Sequence, residues 1–430
     1  MLIVLVLYGI GRFSVLSYDS YVFVPRQPYL QMQTDNSIMI KWQSPQSEIG
    51  CVLYGKKSLD QKLCETSETQ KHRIILKNLD QESHYQYKVE SSSLNIDNTN
   101  RHFTTLDKNT KKTQYIWIIG DSGKSGPDQD SVYTQMQKYM KDRPLDLWLL
   151  LGDNAYRSGT QKQYNSALFD PYKELLKNYV PWAVIGNHDA RRWAFYDIFE
   201  FPSHAESGGI ASENQKFYAI DKGDLHILMI DSETTDLSTD SELVRWLEKD
   251  LKANAKKWTI AIFHHPPYTN GGHNSDNKRD SHPKFSLQGR LFSIRENIIP
   301  ILEKFDVDLV YSGHSHVYER SKLMHKHYQD SSHFNKDLHL VQDRKSDYCK
   351  GLDKEAYGGT VYTVAGSSAK LDHGNLKHPA LPFSFEKMGS VILEVNPEYL
   401  KSSFITIDGS VDDSFTLHKR KECLQEGSTF

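Results

Sequence analysis

The chain has 430 residues, of which 38% are hydrophobic and 25% are charged, so a folded protein is expected and disorder over most of the chain is excluded. Its 52 Lys and Arg residues against 55 Asp and Glu residues leave a formal net charge of -3, which argues against nucleic-acid binding through a basic surface. No apolar run approaches the length of a membrane span, which excludes a polytopic membrane protein. The length favours two or three domains.

The amino terminus has the pattern of a secretion signal. Residues 2–10 are almost continuously apolar, and Arg12 and small residues follow them. This run is too short to span a membrane but suits the apolar core of a signal peptide. We therefore predict that residues 1–17 are a signal peptide and that the protein is secreted or lysosomal/vacuolar. The alternatives are a buried N-terminal strand and a short anchor.

The four cysteines show no zinc-ligand spacing. Cys51 and Cys64 are close enough in sequence to join the two strands of one hairpin in an oxidising compartment. Free buried thiols are the alternative for all four cysteines, and the pairing of Cys349 and Cys423 is left open.

Residues 20–106 are predicted to form an all-β sandwich. Apolar and polar residues alternate over residues 37–42 and again over residues 85–89, as in half-buried strands. Residues 79–85 resemble the corner that leads into the tyrosine strand of fibronectin type III domains, in which Trp42 would be the buried tryptophan between the sheets. An unrelated small β-sandwich is the alternative.

Residues 113–419 are predicted to form an α/β domain. Short apolar runs alternate with helical patterns, and the absence of period-two alternation within the runs indicates strands covered on both faces. After Gly358 the strands come without long helices, so we expect an antiparallel continuation of a layered sheet. The predicted strands that precede this continuation are residues 115–119, 147–151, 182–185, 227–230, 258–263 and 309–311.

Two further segments complete the predicted organisation. Residues 325–357 are polar and poorly periodic, which favours a long surface insertion. We expect the histidines of this insertion to be surface residues; they are His325, His327, His333 and His339. Residues 420–430 are predicted to be a C-terminal tail.

Polar side chains end five of the predicted strands, and a glycine precedes most of them. In open α/β sheets, ligands bind at the carboxyl ends of strands. Carboxylate, amide and imidazole groups together suit iron, manganese or zinc, whereas the lack of cysteine argues against a structural zinc cluster. The five strand ends are Gly120-Asp121, Gly152-Asp153, Gly186-Asn187-His188-Asp189, His264-His265-Pro266 and Gly313-His314-Ser315-His316.

As a set, these motifs resemble the five metal motifs of the calcineurin-like metallophosphoesterases. Tyr156, three residues after Asp153, narrows the resemblance to the purple acid phosphatases. A fibronectin-like domain ahead of the catalytic domain is similar to the larger members of that family, and the resemblance covers residues 20–418. One departure is Ala261, which stands where the fourth motif usually carries Val. The resemblance implies a four-layer metallophosphoesterase domain of β-sheets flanked by helices.

The resemblance also implies a set of metal ligands and two substrate-binding histidines. Asp121, Tyr156 and His316 would hold Fe(III), whereas Asn187, His264 and His314 would hold a divalent ion (Fe, Zn or Mn), with Asp153 bridging both. His188 and His273 would be catalytic residues outside the metal shells. Of the two adjacent histidines in the fourth motif, the family pattern His-x-Pro selects His264 as the ligand and leaves His265 a packing role.

The implied activity is hydrolysis of phosphate monoesters by in-line attack of hydroxide, without a covalent enzyme intermediate. A phosphodiesterase or nucleotide pyrophosphatase on the same scaffold is the alternative, because the metal motifs do not fix the leaving group. A non-catalytic adhesion protein is the third hypothesis, and it would require a broken metal site. The expected partners are small phosphorylated substrates, with no nucleic acid and no membrane span, and the oligomeric state is not predicted.

Overall fold

The computed structural model describes Tyr18, residues 22–277, residues 287–421 and Cys423. The predicted signal peptide, residues 1–17, lies outside these described residues. Within them, no helix is both long enough and apolar enough to pass through a bilayer.

Seven antiparallel strands form the N-terminal part of the chain as two sheets, of three and four strands. Buried and exposed residues alternate along His84–Glu90, so one face of its sheet is covered and the other is solvated. The strand order is β1-β2-β5 in the first sheet and β4-β3-β6-β7 in the second. The strands are β1 (Arg26–Gln31), β2 (Ile38–Glu48), β3 (Cys51–Gly55), β4 (Gln61–Cys64), β5 (Thr69–Leu76), β6 (His84–Glu90) and β7 (His102–Thr104).

Two contacts in this all-β part bear on the fibronectin-like prediction. Trp42 is buried, and its ring stacks on His72 with 4.3 Å between ring centroids. The backbone amide of Asp80 donates to the Tyr85 hydroxyl at 2.9 Å, which ties the tyrosine to the chain five residues upstream. A tyrosine bonded in this way marks the corner before the sixth strand of immunoglobulin-like sandwiches. This contact fits the predicted fibronectin-like domain, but the assignment to the fibronectin type III family stays a prediction.

Two disulfides lie within the described chain, which leaves no free cysteine there. Cys51 and Cys64 are directly paired across β3 and β4, as the hairpin interpretation expected. Cys349 is bonded to Cys423, which attaches the start of the predicted C-terminal tail to the domain.

The rest of the described chain contains two seven-stranded mixed sheets and one two-stranded sheet, β16-β17. The first large sheet has the order β10-β9-β8-β21-β22-β23-β18, and the second has the order β11-β12-β13-β14-β19-β15-β20. Their strands are β8 (Gln114–Ile119), β9 (Leu147–Leu150), β10 (Pro181–Ala183), β11 (Phe217–Lys222), β12 (Leu225–Ile230), β13 (Trp258–Phe263), β14 (Leu309–Ser312), β15 (Tyr318–Arg320), β16 (Leu323–Met324), β17 (Leu340–Gln342), β18 (Asp347–Lys350), β19 (Val361–Ala365), β20 (Phe383–Phe385), β21 (Gly389–Val395), β22 (Tyr399–Thr406) and β23 (Val411–Lys419).

Helices connect these strands and cover the sheets. The helix Glu242–Ala253 begins at Ser241, whose side chain accepts a hydrogen bond from the amide of Val244, and it buries an apolar face. The α-helices are Pro127–Met140, Gln161–Tyr164, Lys173–Leu176, Ala194–Ile198, Glu242–Ala253, Leu287–Ser293, Ile299–Lys304 and Lys336–His339. The single-turn 3-10 and π segments are Asn165–Phe169, Asp189–Arg191, Ile294–Ile298 and Ser331–His333.

The central strands are buried on both faces because the two large sheets pack against each other and helices cover their outer sides. In β13, Ile260 and Ile262 belong to the core between the sheets, whereas Ala261 and Phe263 belong to the core under the helix Glu242–Ala253. The hydroxyl of Tyr311 in β14 donates to Ser402 Oγ in β22 at 2.9 Å, directly across the sheet interface. This layering explains why these strands lack period-two alternation.

Two expectations about this part of the chain were wrong. The strand β19 is not an antiparallel continuation, because it pairs in parallel with β14 and only its other edge, toward β15, is antiparallel. The segment 325–357 does not lie wholly on the surface, since β18 joins the first large sheet and Tyr348 is buried. His327 is also buried, because the rings of Tyr268 and Phe334 enclose it at centroid distances of 5.4 and 5.2 Å.

Candidate metal centre

The candidate ligands lie where the carboxyl ends of the two large sheets meet. Strands β8, β9 and β10 of the first sheet run in parallel and lead to Asp121, Asp153 and Asn187. Strands β13 and β14 of the second sheet also run in parallel and lead to His264 and His314. Each sheet therefore supplies part of one cluster, which matches the rule that ligands bind beyond the carboxyl ends of parallel strands.

Three of these residues have a left-handed backbone, which turns the chain sharply as it leaves the strand. The φ angles are 54° at Asp121, 53° at Asp153 and 70° at His314. Non-glycine residues adopt this conformation at a cost, and such residues concentrate at functional sites. Gly186 allows two of the loops to touch, since a Cβ atom at this position would lie 2.2 Å from the backbone nitrogen of Asp153.

One set of donor atoms comes from Asn187, His264 and His314. Asn187 Oδ1 lies 3.1 Å from both His264 Nε2 and His314 Nδ1, and these two nitrogens are 3.2 Å apart. Donors bound to one ion at about 2.0–2.1 Å are separated by roughly 3.0–3.4 Å. The three atoms therefore have the spacing of ligands that share a cation. The Nδ1 atom of His264 lies 2.9 Å from the carbonyl oxygen of Leu151, which fixes the ring orientation.

A second set of donor atoms comes from Asp121, Tyr156 and His316. The Tyr156 hydroxyl donates to Asp121 Oδ1 at 3.0 Å and lies 2.9 Å from His316 Nε2. The distance between His316 Nε2 and Asp121 Oδ1 is 3.3 Å. Burial and the charges of Asp121 and Asp153 raise the pKa of Tyr156 well above its ordinary value, so the phenol is neutral unless a cation is bound beside it.

Asp153 lies between the two sets. Its Oδ1 atom is 3.6 Å from His264 Nε2 and accepts a hydrogen bond from the backbone amide of His188 at 2.8 Å. Donor atoms of Asp121, Asp153 and His264 all lie within 4.8 Å of one another. Burial raises the pKa of Asp153, and the neighbouring charge of Asp121 raises it further. A cation bound between the two carboxylates would offset both effects, so this donor set fits metal ions.

His188 and His273 flank the cluster without entering either set of donors. His188 Nδ1 lies 2.7 Å from the carbonyl oxygen of Arg157, so it carries a proton and leaves Nε2, 3.8 Å from Asp153 Oδ2, free for other contacts. The half-buried ring of His273 stacks on His314 with 3.9 Å between centroids. Burial lowers the pKa of both His188 and His273 to about 4.

His265 is fully buried beside the cluster, as expected for a packing residue. It also lies close to the donor nitrogens of His264 and His314. Its Nδ1 atom lies 2.9 Å from Ser232 Oγ. One ring nitrogen of each of His264, His265 and His314 lies within 4.8 Å of the others. His265 Nε2 has no hydrogen-bond partner among the described residues, and Glu233 Oε2 is 3.5 Å away.

Two carboxylates that hold the site in place were missed by the sequence reasoning. Asp372 hydrogen-bonds to His316 Nδ1, the nitrogen that faces away from Tyr156. Although burial opposes the charged imidazolium, hydrogen bonds to Asp121 and Asp372 raise the pKa of His316 to about 9. No motif marks Asp372, which lies 56 residues after its partner.

The second missed residue, Asp189, joins two ligand loops. Its carboxylate accepts hydrogen bonds from the backbone amides of Asn154 and Ala155, after Asp153, and from the amide of Gly186, before Asn187. The Tyr164 hydroxyl also donates to it at 2.7 Å. Asp189 ends the motif Gly186-Asn187-His188-Asp189, so the sequence offered a signal for it but no indication of its role.

Comparison with known proteins agrees with this geometry. Residues 115–318 match the family model described as calcineurin-like phosphoesterase, and this segment contains every candidate ligand as well as His188 and His273. Purple acid phosphatase 22 of Arabidopsis thaliana is 28% identical over 225 residues, which cover 50% of this chain and 46% of that protein. Acid phosphatase type 7 of Mus musculus is 27% identical over 267 residues, which cover 58% and 56%. The chain thus spans about half the length of these curated relatives.

A solved structure extends the likeness of fold to almost the whole chain. Purple acid phosphatase PPD1 from yellow lupin (Lupinus luteus) seeds superposes with a TM-score of 0.69 at 19% identity, covering 94% of this chain and 76% of that one. The predicted α/β metallophosphoesterase fold is confirmed by this likeness and by the family model. The comparisons thus show a likeness to calcineurin-like phosphoesterases over residues 115–318 and a likeness of fold to a purple acid phosphatase over almost the whole chain.

Proposed function

We propose that this protein is a metal-dependent acid phosphatase that hydrolyses phosphate monoesters and holds Fe(III) together with a divalent Fe, Zn or Mn ion. The observation that carries the proposal is the convergence of two sets of donor atoms beside one buried carboxylate. Asn187, His264 and His314 present donors 3.1–3.2 Å apart, and Asp153 lies between them and the set around Tyr156. The named relatives, which are acid phosphatases, support the same activity.

The two donor sets differ in chemistry, and this difference supports the proposed assignment of the ions. The set of Asp121, Tyr156 and His316 includes a phenol, which a trivalent and strongly acidic ion would hold as phenolate. The set of Asn187, His264 and His314 has neutral amide and imidazole donors, which suit a divalent ion. When bound, the two cations would clamp the phosphate group and supply hydroxide near or below neutral pH.

The side chains outside the donor sets position the substrate and move protons. His188 keeps Nε2 available because Nδ1 is bound to the carbonyl of Arg157, so its imidazolium form would donate to a phosphate oxygen or to the leaving alkoxide. His273, held against the His314 ring, is the second candidate donor. The burial of Asp121, Asp153 and His264 keeps bulk water away from the charges that these residues share.

We also propose that the protein works in an oxidising compartment, as a secreted or lysosomal/vacuolar enzyme. The disulfides Cys51–Cys64 and Cys349–Cys423 support this location, because disulfides persist outside the reducing cytosol. The all-β N-terminal part is proposed to be a fibronectin type III-like domain, supported by the hydrogen bond between Asp80 and Tyr85.

The test is a substrate panel combined with metal analysis of the wild-type protein and of Asp153→Asn. We expect the wild type to bind about two metal ions and to prefer a phosphate monoester to a diester. Asp153→Asn should lose turnover and metal, because it removes the buried negative charge between the donor sets. Asp240→Asn, at an exposed position that is not among the candidate ligands, is the matched control. A near-normal rate with two bound ions in Asp153→Asn would refute the bridging role, and a diester preference would refute the monoesterase proposal.

A further inference from the structure

Three arginines and a tryptophan lie on the two segments that flank His188. Arg157 follows Tyr156 directly, and Arg191, Arg192 and Trp193 come shortly after His188. The carbonyl oxygen of Arg157 is 2.7 Å from His188 Nδ1 and also accepts a hydrogen bond from Arg191 Nη1 at 3.0 Å. This carbonyl therefore connects the two segments beside the candidate catalytic histidine. We call Arg157, Arg191, Arg192 and Trp193 the arginine–tryptophan rim.

No carboxylate of the described residues neutralises the positive charge of the rim. The side chains of Arg157 and Arg191 are exposed and that of Arg192 is half-buried. In the described part of the chain, none of these three guanidinium groups forms an ion pair with a carboxylate. The chain as a whole carries a net charge of -3, so this local excess of positive charge is a property of the site and not of the surface in general. Unpaired arginines beside a phosphate site attract and orient anionic groups.

Trp193 adds a feature that phosphate binding alone does not require. Its side chain is 75% exposed, whereas the other six tryptophans are buried. Trp193 is five residues after His188, and five residues of chain span at most about 18 Å, so both residues lie on one short segment. An exposed indole offers a flat π surface on which the ring of a ligand can stack.

We propose that the rim recognises phosphate esters that carry an aromatic ring and a second anionic group, as a nucleoside diphosphate does. The ring would stack on Trp193 and the inner phosphate would pair with the arginines, while the terminal phosphate would lie at the metal centre. There, hydroxide would form the new P–O bond and the P–O–P bridge would break, which releases the nucleoside monophosphate and orthophosphate. This inference rests on the proposed phosphatase activity and specifies the substrates that the site selects. It assigns Trp193 and Arg191 as specificity-determining residues, outside the metal shells.

The kinetic test compares substrates that differ by one recognition element. A nucleoside monophosphate is compared with ribose 5-phosphate, which lacks the ring, and with the nucleoside diphosphate, which adds a second phosphate. In Trp193→Ala, the ratio of kcat/KM for the nucleoside monophosphate to that for ribose 5-phosphate should fall by about tenfold or more, the usual effect of losing one stacking contact. In Arg191→Gln, the ratio of kcat/KM for the nucleoside diphosphate to that for the nucleoside monophosphate should fall instead.

Two control variants separate recognition from general damage. Trp193→Phe keeps an aromatic face and should retain most of the selectivity for ring-containing substrates. Arg245→Gln removes the same charge from an exposed position on the helix Glu242–Ala253 and should leave all of the ratios unchanged. If Trp193→Ala and Arg191→Gln also leave the ratios unchanged, the rim has no role in recognition, although hydrolysis of ribose 5-phosphate would still support the phosphatase proposal.

A binding measurement tests the rim even if no ester is hydrolysed. Because Trp193 is the exposed tryptophan, a methylene-bridged adenosine diphosphate analogue should quench part of the intrinsic fluorescence of the holoenzyme in a saturable manner. The quenching should disappear in Trp193→Phe and weaken in Arg191→Gln. Absence of saturable quenching in the wild type would overturn the inference.

Discussion

The hydroxyl oxygen of Tyr156 lies 2.9 Å from Nε2 of His316, although 160 residues separate the two in the sequence. Tyr156 follows β9 in the first large sheet, and His316 follows β14 in the second. The contact therefore exists only when the carboxyl ends of both sheets come together. The same hydroxyl also donates to Asp121, so three residues from three loops present donors to one point.

The first prediction is that the oxidised protein absorbs visible light and that Tyr156→Phe removes the band. Phenolate bound to Fe(III) gives a charge-transfer transition, whereas carboxylate, amide and imidazole ligands do not. Since burial raises the pKa of Tyr156, deprotonation of Tyr156 depends on a bound ion. The measurement is an absorption spectrum together with iron analysis of both proteins. A band that survives in Tyr156→Phe would place Tyr156 outside the ligand set.

The second prediction concerns Asp372, which acts through His316. Asp372→Asn should lower the affinity for the ion held by His316 by about 10- to 100-fold, because the carboxylate orients the imidazole and increases its basicity. The measurement is iron content after dialysis against graded chelator concentrations. Glu386→Gln is a suitable control, since Glu386 is an acidic residue of the neighbouring loop that bonds to His373 and not to a candidate ligand. Equal metal retention in Asp372→Asn and the wild type would contradict this role.

The third prediction separates His188 and His273 from the ligands. His188→Ala should retain both metal ions but lower kcat by roughly 100-fold or more if His188 is a general acid. His273→Ala should act less strongly, mainly through KM, because its ring packs against His314 at the edge of the cluster. Metal analysis of each variant is the necessary companion to the kinetics. Loss of metal in either one would show that the residue belongs to the metal shell.

Five of the seven candidate ligands could be expected to lie close together from the sequence, because each of these five comes shortly after a strand. Asp121, Asp153, Asn187, His264 and His314 come after short apolar runs, and parallel strands bring such ends to one edge of a sheet. The pattern of the runs also indicated the layers, since a strand buried on both faces loses its alternation.

The residues that support these ligands could not be predicted in the same way. Asp372 contacts His316 from a loop whose sequence has no regular pattern. The local sequence around Asp189 would be the same whether its side chain caps a turn or joins two loops. Burial of His327 depends on the ring of Tyr268, which is 59 residues away in the sequence. Such contacts are set by tertiary packing, for which a single sequence gives no periodic signal.

The fourth prediction tests Asp189 as the joint between the loops that carry Asp153 and Asn187. Asp189→Ala would leave buried donors of Asn154, Ala155 and Gly186 without a partner, so the free energy of unfolding should fall by about 3 kcal/mol or more. Asp189→Asn keeps one acceptor oxygen and should lose less. Chemical denaturation of both variants provides the measurement. Equal stability of Asp189→Ala and the wild type would show that the loops are held by other contacts.

The last prediction is a pH dependence of stability that originates away from the metal centre, at His226. This buried side chain lies between two carboxylates, with Nδ1 2.7 Å from Asp221 and Nε2 2.7 Å from Asp250. Burial disfavours the charged imidazolium, but the two hydrogen bonds outweigh it and raise the pKa of His226 from 6.5 to about 9. Because the folded state binds this proton more tightly than the unfolded state, the stabilisation is fully present below pH 6.5 and is lost as the pH rises through 9.

A shift of this size corresponds to about 3 kcal/mol between the two ends of that range. The free energy of unfolding should therefore decline between pH 6.5 and 9 more steeply in the wild type than in His226→Gln, which cannot bind the proton. Denaturant titrations at several pH values would measure the difference. Because His226 bonds to Asp250 on the helix Glu242–Ala253, the variant should also loosen that helix against β12 at every pH. Parallel pH profiles for the two proteins would mean that His226 does not carry the charge that its two carboxylate partners imply.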